Sequence, residues 1–327
     1  MWQRTFGVVL LGATLLPGIA QAAETLPADG LVWRWDPTQV RRYYFETEVV
    51  LPGYLWFLAD RNKDVRVVAF QVRTATTCDH ATPHGKRIDV VCKIDDFGIV
   101  AAAMPGDQRD GDSSPLPSIL EEIDGKLTGA ELDFTIRSDG RVVSFDIGGL
   151  DRSERRMGLM NETMRSVVQR AVAGLDLELP ADGHNADGLW MQHEVLLMRA
   201  PTQVGTPGAT DLQNRVLSVD GSTVVVETAG KGVIAFAQNL YASELSSVAV
   251  FDTASGGLVE RVWTVSGSPT ASSAAALGAA GLRYLQRGKL RLLADGETAD
   301  VGTNQEVAPP GATPTALTPW QSIAGSF

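Results

Sequence analysis

Three glycine-centred turns limit what kind of sheet this chain can build. Asp139-Gly140, Asp220-Gly221 and Ser255-Gly256-Gly257 each separate two runs of strand-forming residues. Such turns need a positive φ, which glycine supplies without strain, and they return the chain alongside itself. Strands joined this way pair antiparallel, because parallel neighbours need a crossover of a dozen or more residues. The pairs so defined are 131–136 with 141–147, 213–219 with 222–228, and 247–253 with 258–265. The 33 glycines and 16 prolines in 327 residues fit a protein of many strands and turns.

Other segments extend the pattern. Residues 40–51 alternate, with Tyr43, Phe45, Thr47 and Val49 on one face and Arg42, Tyr44, Glu46 and Glu48 on the other. Trp33 and Trp35 stand two apart and share a side of an extended segment. Further strands are expected at 54–59, 65–75, 87–93, 97–104, 191–199 and 284–293, and a short helix capped by Ser118 at 118–127. Segment 105–117 reads as a loop, and 266–281 is low in complexity, rich in Ser, Ala and Gly.

Segment 152–179 has a different period. Met157, Met160, Met164, Val167, Val168, Ala171, Val172 and Leu175 recur at steps of three and four, the stripe of an amphipathic helix. That stripe must be buried, and a sheet is the large partner available. The expected fold is therefore α+β: a curved antiparallel sheet built from hairpins, with one long helix over 152–179 packed on its concave side. The hairpins suggest two similar halves, 23–180 and 181–294, followed by a Pro/Thr/Ala/Gly-rich tail, 295–327, expected to be disordered.

The first 22 residues predict an address. Arg4 precedes an apolar run over 6–16, Pro17 and Gly18 break it, and Ala20-Gln21-Ala22 offers a small-x-small cleavage site. The run is too short for a membrane anchor, and no other stretch approaches that length. The mature chain is thus expected in the periplasm or outside the cell. Its two cysteines, Cys78 and Cys92, flank a turn between two strands, so in an oxidising compartment a disulfide would staple a hairpin. The alternative, a zinc site from Cys78, His80, His84 and Cys92, lacks the close cysteine pair such sites use. A net charge of −11 disfavours binding to nucleic acid.

The order of hairpin, amphipathic helix, Leu179-Pro180, then Gly188-x-Trp190 opening a strand, with Gly140, Gly221 and Gly257 at turns, resembles a family of exported bacterial β-rich proteins. The plan is also similar to the LolA-like half-barrels of periplasmic lipoprotein carriers and lipid shuttles. That resemblance implies a curved antiparallel sheet with helices covering an apolar concavity.

Residue patterns for catalysis are absent. No G-x-S-x-G elbow and no phosphate-binding glycine loop occurs. Asp107, Asp110 and Asp112 do not follow the calcium-loop spacing, and a stripe of methionines at helical spacing reads as core before copper ligands. No cofactor is expected. The sequence reads as a non-catalytic envelope binding protein holding a lipid, an acyl chain or a partner segment in a sheet–helix cleft. Its expected lining is Phe45, Met157, Met160, Met164 and Trp190. Two alternatives stand beside this: an envelope structural or assembly protein engaging a protein partner, and an envelope hydrolase.

Overall fold

The structure, a computed structural model, describes residues 30–50, 56–60, 63–103, 116–148, 165, 168–169, 172–180, 188–192, 210–236, 239–271, 284–302 and 305–307. Its strands are β1 (Arg41–Val50), β2 (Trp56–Asp60), β3 (Lys63–His84), β4 (Arg87–Ala103), β5 (Glu131–Arg137), β6 (Val142–Ile147) and β7 (Leu189–Gln192). They continue with β8 (Thr210–Asp220), β9 (Thr223–Phe236), β10 (Asn239–Asp252), β11 (Gly257–Pro269), β12 (Tyr284–Leu292) and β13 (Gln305–Val307). A helix, α1 (Leu116–Leu127), follows β4.

All the strands belong to one sheet. Its main path runs β6-β5-β4-β3-β1-β12-β11-β10-β9-β8-β7 and is antiparallel throughout. Strands from early and late in the chain are joined where β1 pairs with β12, Phe45 opposite Leu290. The segment after β12 stays on the sheet: Val301 is buried, and β13 pairs parallel with β4. Gly98 permits this approach, since a Cβ there would lie 2.3 Å from the Val301 carbonyl oxygen.

The hairpins expected at Asp139-Gly140, Asp220-Gly221 and Gly256-Gly257 all form, with φ of +83°, +58° and +67° at Gly140, Gly221 and Gly256. The alternation expected in β1 is also present: Tyr43, Phe45, Thr47 and Val49 are all buried on one face. Cys78 and Cys92 stand opposite each other on β3 and β4 and are joined by a disulfide. This removes both sulfurs from any zinc site.

The α+β expectation is corrected. The protein is overwhelmingly β, and among the described residues no long helix lies on the sheet. Among the described residues, Arg165, Val168, Gln169 and Val172 have helical backbone, but a single 3-10 turn at Ala173–Leu175 ends the helical stretch. Residues 176–180 are extended. The physical reason is a change of period within the segment. Beyond Gly174 the buried leucines, Leu175, Leu177 and Leu179, fall at every second position, which is the repeat of an extended chain, with Asp176 and Pro180 buried beside them. Met157, Met160 and Met164 lie outside the described residues.

The strap formed by residues 172–180 reveals the shape of the sheet. Val142 on β6 donates its backbone N–H to Asp176 Oδ1 at 3.0 Å. Trp190 on β7 donates its indole N–H to the Glu178 carbonyl at 2.7 Å. β6 and β7 are opposite ends of the eleven-strand path. In a flat sheet, ten spacings of ~4.8 Å would hold them ~48 Å apart. Residues 176 and 178 span about 7 Å at most. The sheet is therefore coiled until both ends meet one strap, which crosses its inner face and bridges the gap.

Candidate binding site in the sheet interior

The inner wall of the coil is built from cross-strand rows. At mid-height one row reads Ile99, Val72, Thr47, Gly288, Trp263, Ser247, Thr228, Asn214 and Trp190, from β4 round to β7. Every member is buried. The strap lies against this wall at Gly174, where a Cβ would fall 2.8 Å from the Trp263 ring. Trp263 in turn covers Gly288, whose absent side chain makes room for the indole.

One end of the coil is shut. Backbone N–H groups of Trp33 and Arg34 donate to the carbonyls of Ser138 and Gly256, so 31–35 bridges the β5–β6 and β10–β11 turns. Trp33 meets Phe251 edge-on at 5.7 Å, and Trp35 meets Tyr43 and Phe134 at 6.4 and 6.3 Å. Arg41 stacks over Trp35 at 4.5 Å and donates to the carbonyls of Arg34 and Ser255. The opposite end is where β1 finishes and β10 and β12 begin.

Some of the wall's polar groups satisfy one another. Asn214 donates to Gln192, Thr228 donates to Asn214, and Arg261 donates through Nε to Ser247 at 2.8 Å. Arg261 also donates through one terminal nitrogen to the carbonyls of Gly174 and Asp176, which ties down the strap. Arg261 is fully buried, and burial lowers its pKa to about 10, with the nearby Asp176 carboxylate opposing the shift. It remains a cation at neutral pH.

Other buried polar atoms face no partner. Thr47, Thr74 and Thr76 have buried hydroxyls without hydrogen bonds, as do the Trp263 indole N–H and the second terminal nitrogen of Arg261. The registers spread them over four neighbouring strands, from β3 through β1 and β12 to β11. Thr47 stands opposite Gly288 beneath Trp263, and Thr74 stands opposite Phe45, which pairs with Leu290, itself opposite Arg261. A buried group left unpaired costs about 1–3 kcal/mol. Such groups are rare enough in native proteins that a cluster of them needs a cause.

The structure brings together two of the expected lining residues only loosely. Phe45 lies on the inner wall, beside Tyr43 at 5.9 Å and opposite Thr74 and Leu290. Trp190 is several strands away, with its N–H committed to Glu178. Arg261 and the threonines were missed, since on sequence Thr47 is one polar position in an alternating strand. The available signal was its place on the aromatic face with Tyr43 and Phe45, where a hydroxyl needs a partner. Among the described residues no group of three or more His, Cys, Asp or Glu side chains is placed to hold a metal ion. No helix among them is long and apolar enough to cross a membrane.

No protein-family model matches the chain, and no curated protein matches it. Among solved structures, one of lipovitellin that concerns its lipid–protein interactions is similar at a TM-score of 0.47 and 11% sequence identity. The match covers 83% of this chain and 27% of the lipovitellin chain, so this chain spans little more than a quarter of that protein's length.

Proposed function

We propose that this is an exported, non-catalytic binding protein of the bacterial cell envelope, holding an apolar ligand such as a lipid or acyl chain inside its coiled sheet. The observation that carries this reading is the closure of the coil on the 172–180 strap, with β6 and β7 both bonded to it. A sheet that wraps its apolar face inward, with one end plugged by Trp33 and Trp35, has the form of a container closed at that end. Small-molecule sites favour such concave, mainly apolar surroundings with a few placed polar groups. The Cys78–Cys92 disulfide and the leader-like pattern of residues 1–22 support export.

Native mass spectrometry on protein isolated from its own secretion compartment tests the reading. The expected result is a chain two hydrogens lighter than its thiol form, carrying extra mass that matches a lipid. A bare polypeptide that also fails to take up added lipid overturns it.

A further inference from the structure

We propose that the end of β1 away from the Trp33 and Trp35 plug is a pH-responsive joint, in which ionisation of Glu48 releases residues 48–50 from β3 and β12 and protonation holds them in place. The joint acts on the fold itself and does not depend on what the coil holds.

The two ends of β1 are held differently. At the plugged end Arg41 stands opposite Cys78, which the disulfide ties to β4, and donates to the carbonyls of Arg34 and Ser255. At the other end β1 stops at Val50, opposite Ala69 and Leu285, and β3 continues by pairing with β2 instead. Glu48 lies two residues before that stop. Fraying of residues 48–50 exposes it while the pairs made by Phe45 and Thr47 stay intact. Val49, fully buried on the inner face, is the group that favours closure.

Glu48 is placed to oppose closure once it is charged. It is 5% exposed, and its Oε2 has no hydrogen-bond partner. Directly opposite on β3 is Gln71, whose side-chain oxygen is also buried and unpartnered. The donors nearby are engaged elsewhere. The Gln71 amide and Arg73 Nε both donate to Glu46 Oε1, at 2.9 and 3.0 Å, and Lys289 pairs with Glu260 at 2.9 Å. Arg287 stands opposite Glu48 on β12 without bonding to Oε2, and β4 presents Val100 in the same row. Asp300, from the segment after β12, adds negative charge near Tyr44 on this face. A buried carboxyl is tolerated there when neutral and is costly when ionised without a donor. Burial raises the Glu48 pKa to about 7, with Arg287 opposing the shift and Glu46 adding to it. A released glutamate titrates near 4.5, so opening becomes easier as pH rises from about 4.5 to 7 and levels off above.

The test is amide hydrogen exchange of the full chain, read by mass spectrometry at about pH 5.5 and about pH 7.5 and corrected for the intrinsic pH dependence of exchange. Amides of 48–50, 69–71 and 285–287 should open about tenfold or more more readily at the higher pH. Those of 41–43 and 76–78, at the clamped end, should not change. Glu48→Gln keeps the shape without the charge and should remove the difference, and Glu48→Met gives the same readout if that variant does not fold. An acceleration shared equally by both ends of β1 reports global unfolding and overturns the joint. So does the absence of any difference in the unmodified chain, or a local difference that persists in the uncharged variant.

Discussion

Glu48 on β1 and Gln71 on β3 stand directly opposite each other on the outer face of the sheet, each with one buried side-chain oxygen that has no hydrogen-bond partner. Gln71 is held in place by its amide, which donates to Glu46 at 2.9 Å. A carboxylate left without a donor in a buried site, next to a second unpaired acceptor, is stabilised by taking up a proton. Burial raises the Glu48 pKa to about 7, Arg287 works against the shift, and Glu46 adds to it. The described charged groups around the pair are Glu46, Arg73, Arg287 and Lys289, with Asp300 near Tyr44 on the same face.

The pair predicts a pH dependence of stability. An unfolded glutamate titrates near 4.5, and the folded Glu48 near 7. Below 4.5 both states carry the proton and nothing is lost. Between about 4.5 and 7 the unfolded state releases its proton while the folded state keeps it, so stability falls as pH rises, and above 7 it levels off. Urea unfolding should show a loss on the order of 2 kcal/mol between pH 5 and pH 7.5. Glu48→Gln should flatten that difference, and an equally steep profile in the variant would rule the pair out as its source.

Gly140 predicts a position that tolerates no side chain. Its φ is +83°, and a Cβ would lie 1.9 Å from the Leu177 carbonyl oxygen and 2.3 Å from the Trp33 indole nitrogen. Gly140→Ala therefore forces apart the strap and the end plug as well as straining the turn. The expected cost is about 3 kcal/mol or more. Gly85→Ala is the control: φ is +63° there but nothing lies within 4 Å, so only the backbone cost of about 1 kcal/mol applies. Thermal melting of the two variants should separate them clearly, and equal shifts would show that the strap gives way.

Arg261 predicts a third result, because it holds the strap and stands near the buried Asp176. Arg261→Met removes the hydrogen bonds Arg261 gives to the Gly174 and Asp176 carbonyls and the charge that opposes burial near the Asp176 carboxylate. A loss of about 3–5 kcal/mol is expected in chemical denaturation. Adding Asp176→Asn keeps an acceptor for the Val142 N–H but removes the charge, and should recover about 1 kcal/mol or more. If the double variant is no more stable than Arg261→Met alone, the two charges do not act on each other.

Local chemistry was legible wherever neighbours in sequence are neighbours in space. The β1 alternation, the three glycine turns, the helix at Leu116–Leu127 and the Cys78–Cys92 staple all depend on contacts within one hairpin or one helix. The strap was misread for a local reason too. The helical stripe of Val168 and Val172 runs directly into Leu175, which fits both periods, and only Leu177 and Leu179 reveal the switch.

The sequence by itself determined the units: strands, their faces, their turns and one covalent cross-link. It did so because period-two alternation, positive-φ glycines and cysteine spacing act over a few residues. The tertiary structure decided how those units close. The β1–β12 pairing, the meeting of β6 and β7 on one strap, and the placing of Arg261 against carbonyls 87 and 85 residues earlier arise only when the sheet coils. No local pattern encodes that coil, because its curvature is the sum of small twists over eleven strands, fixed by which groups meet inside.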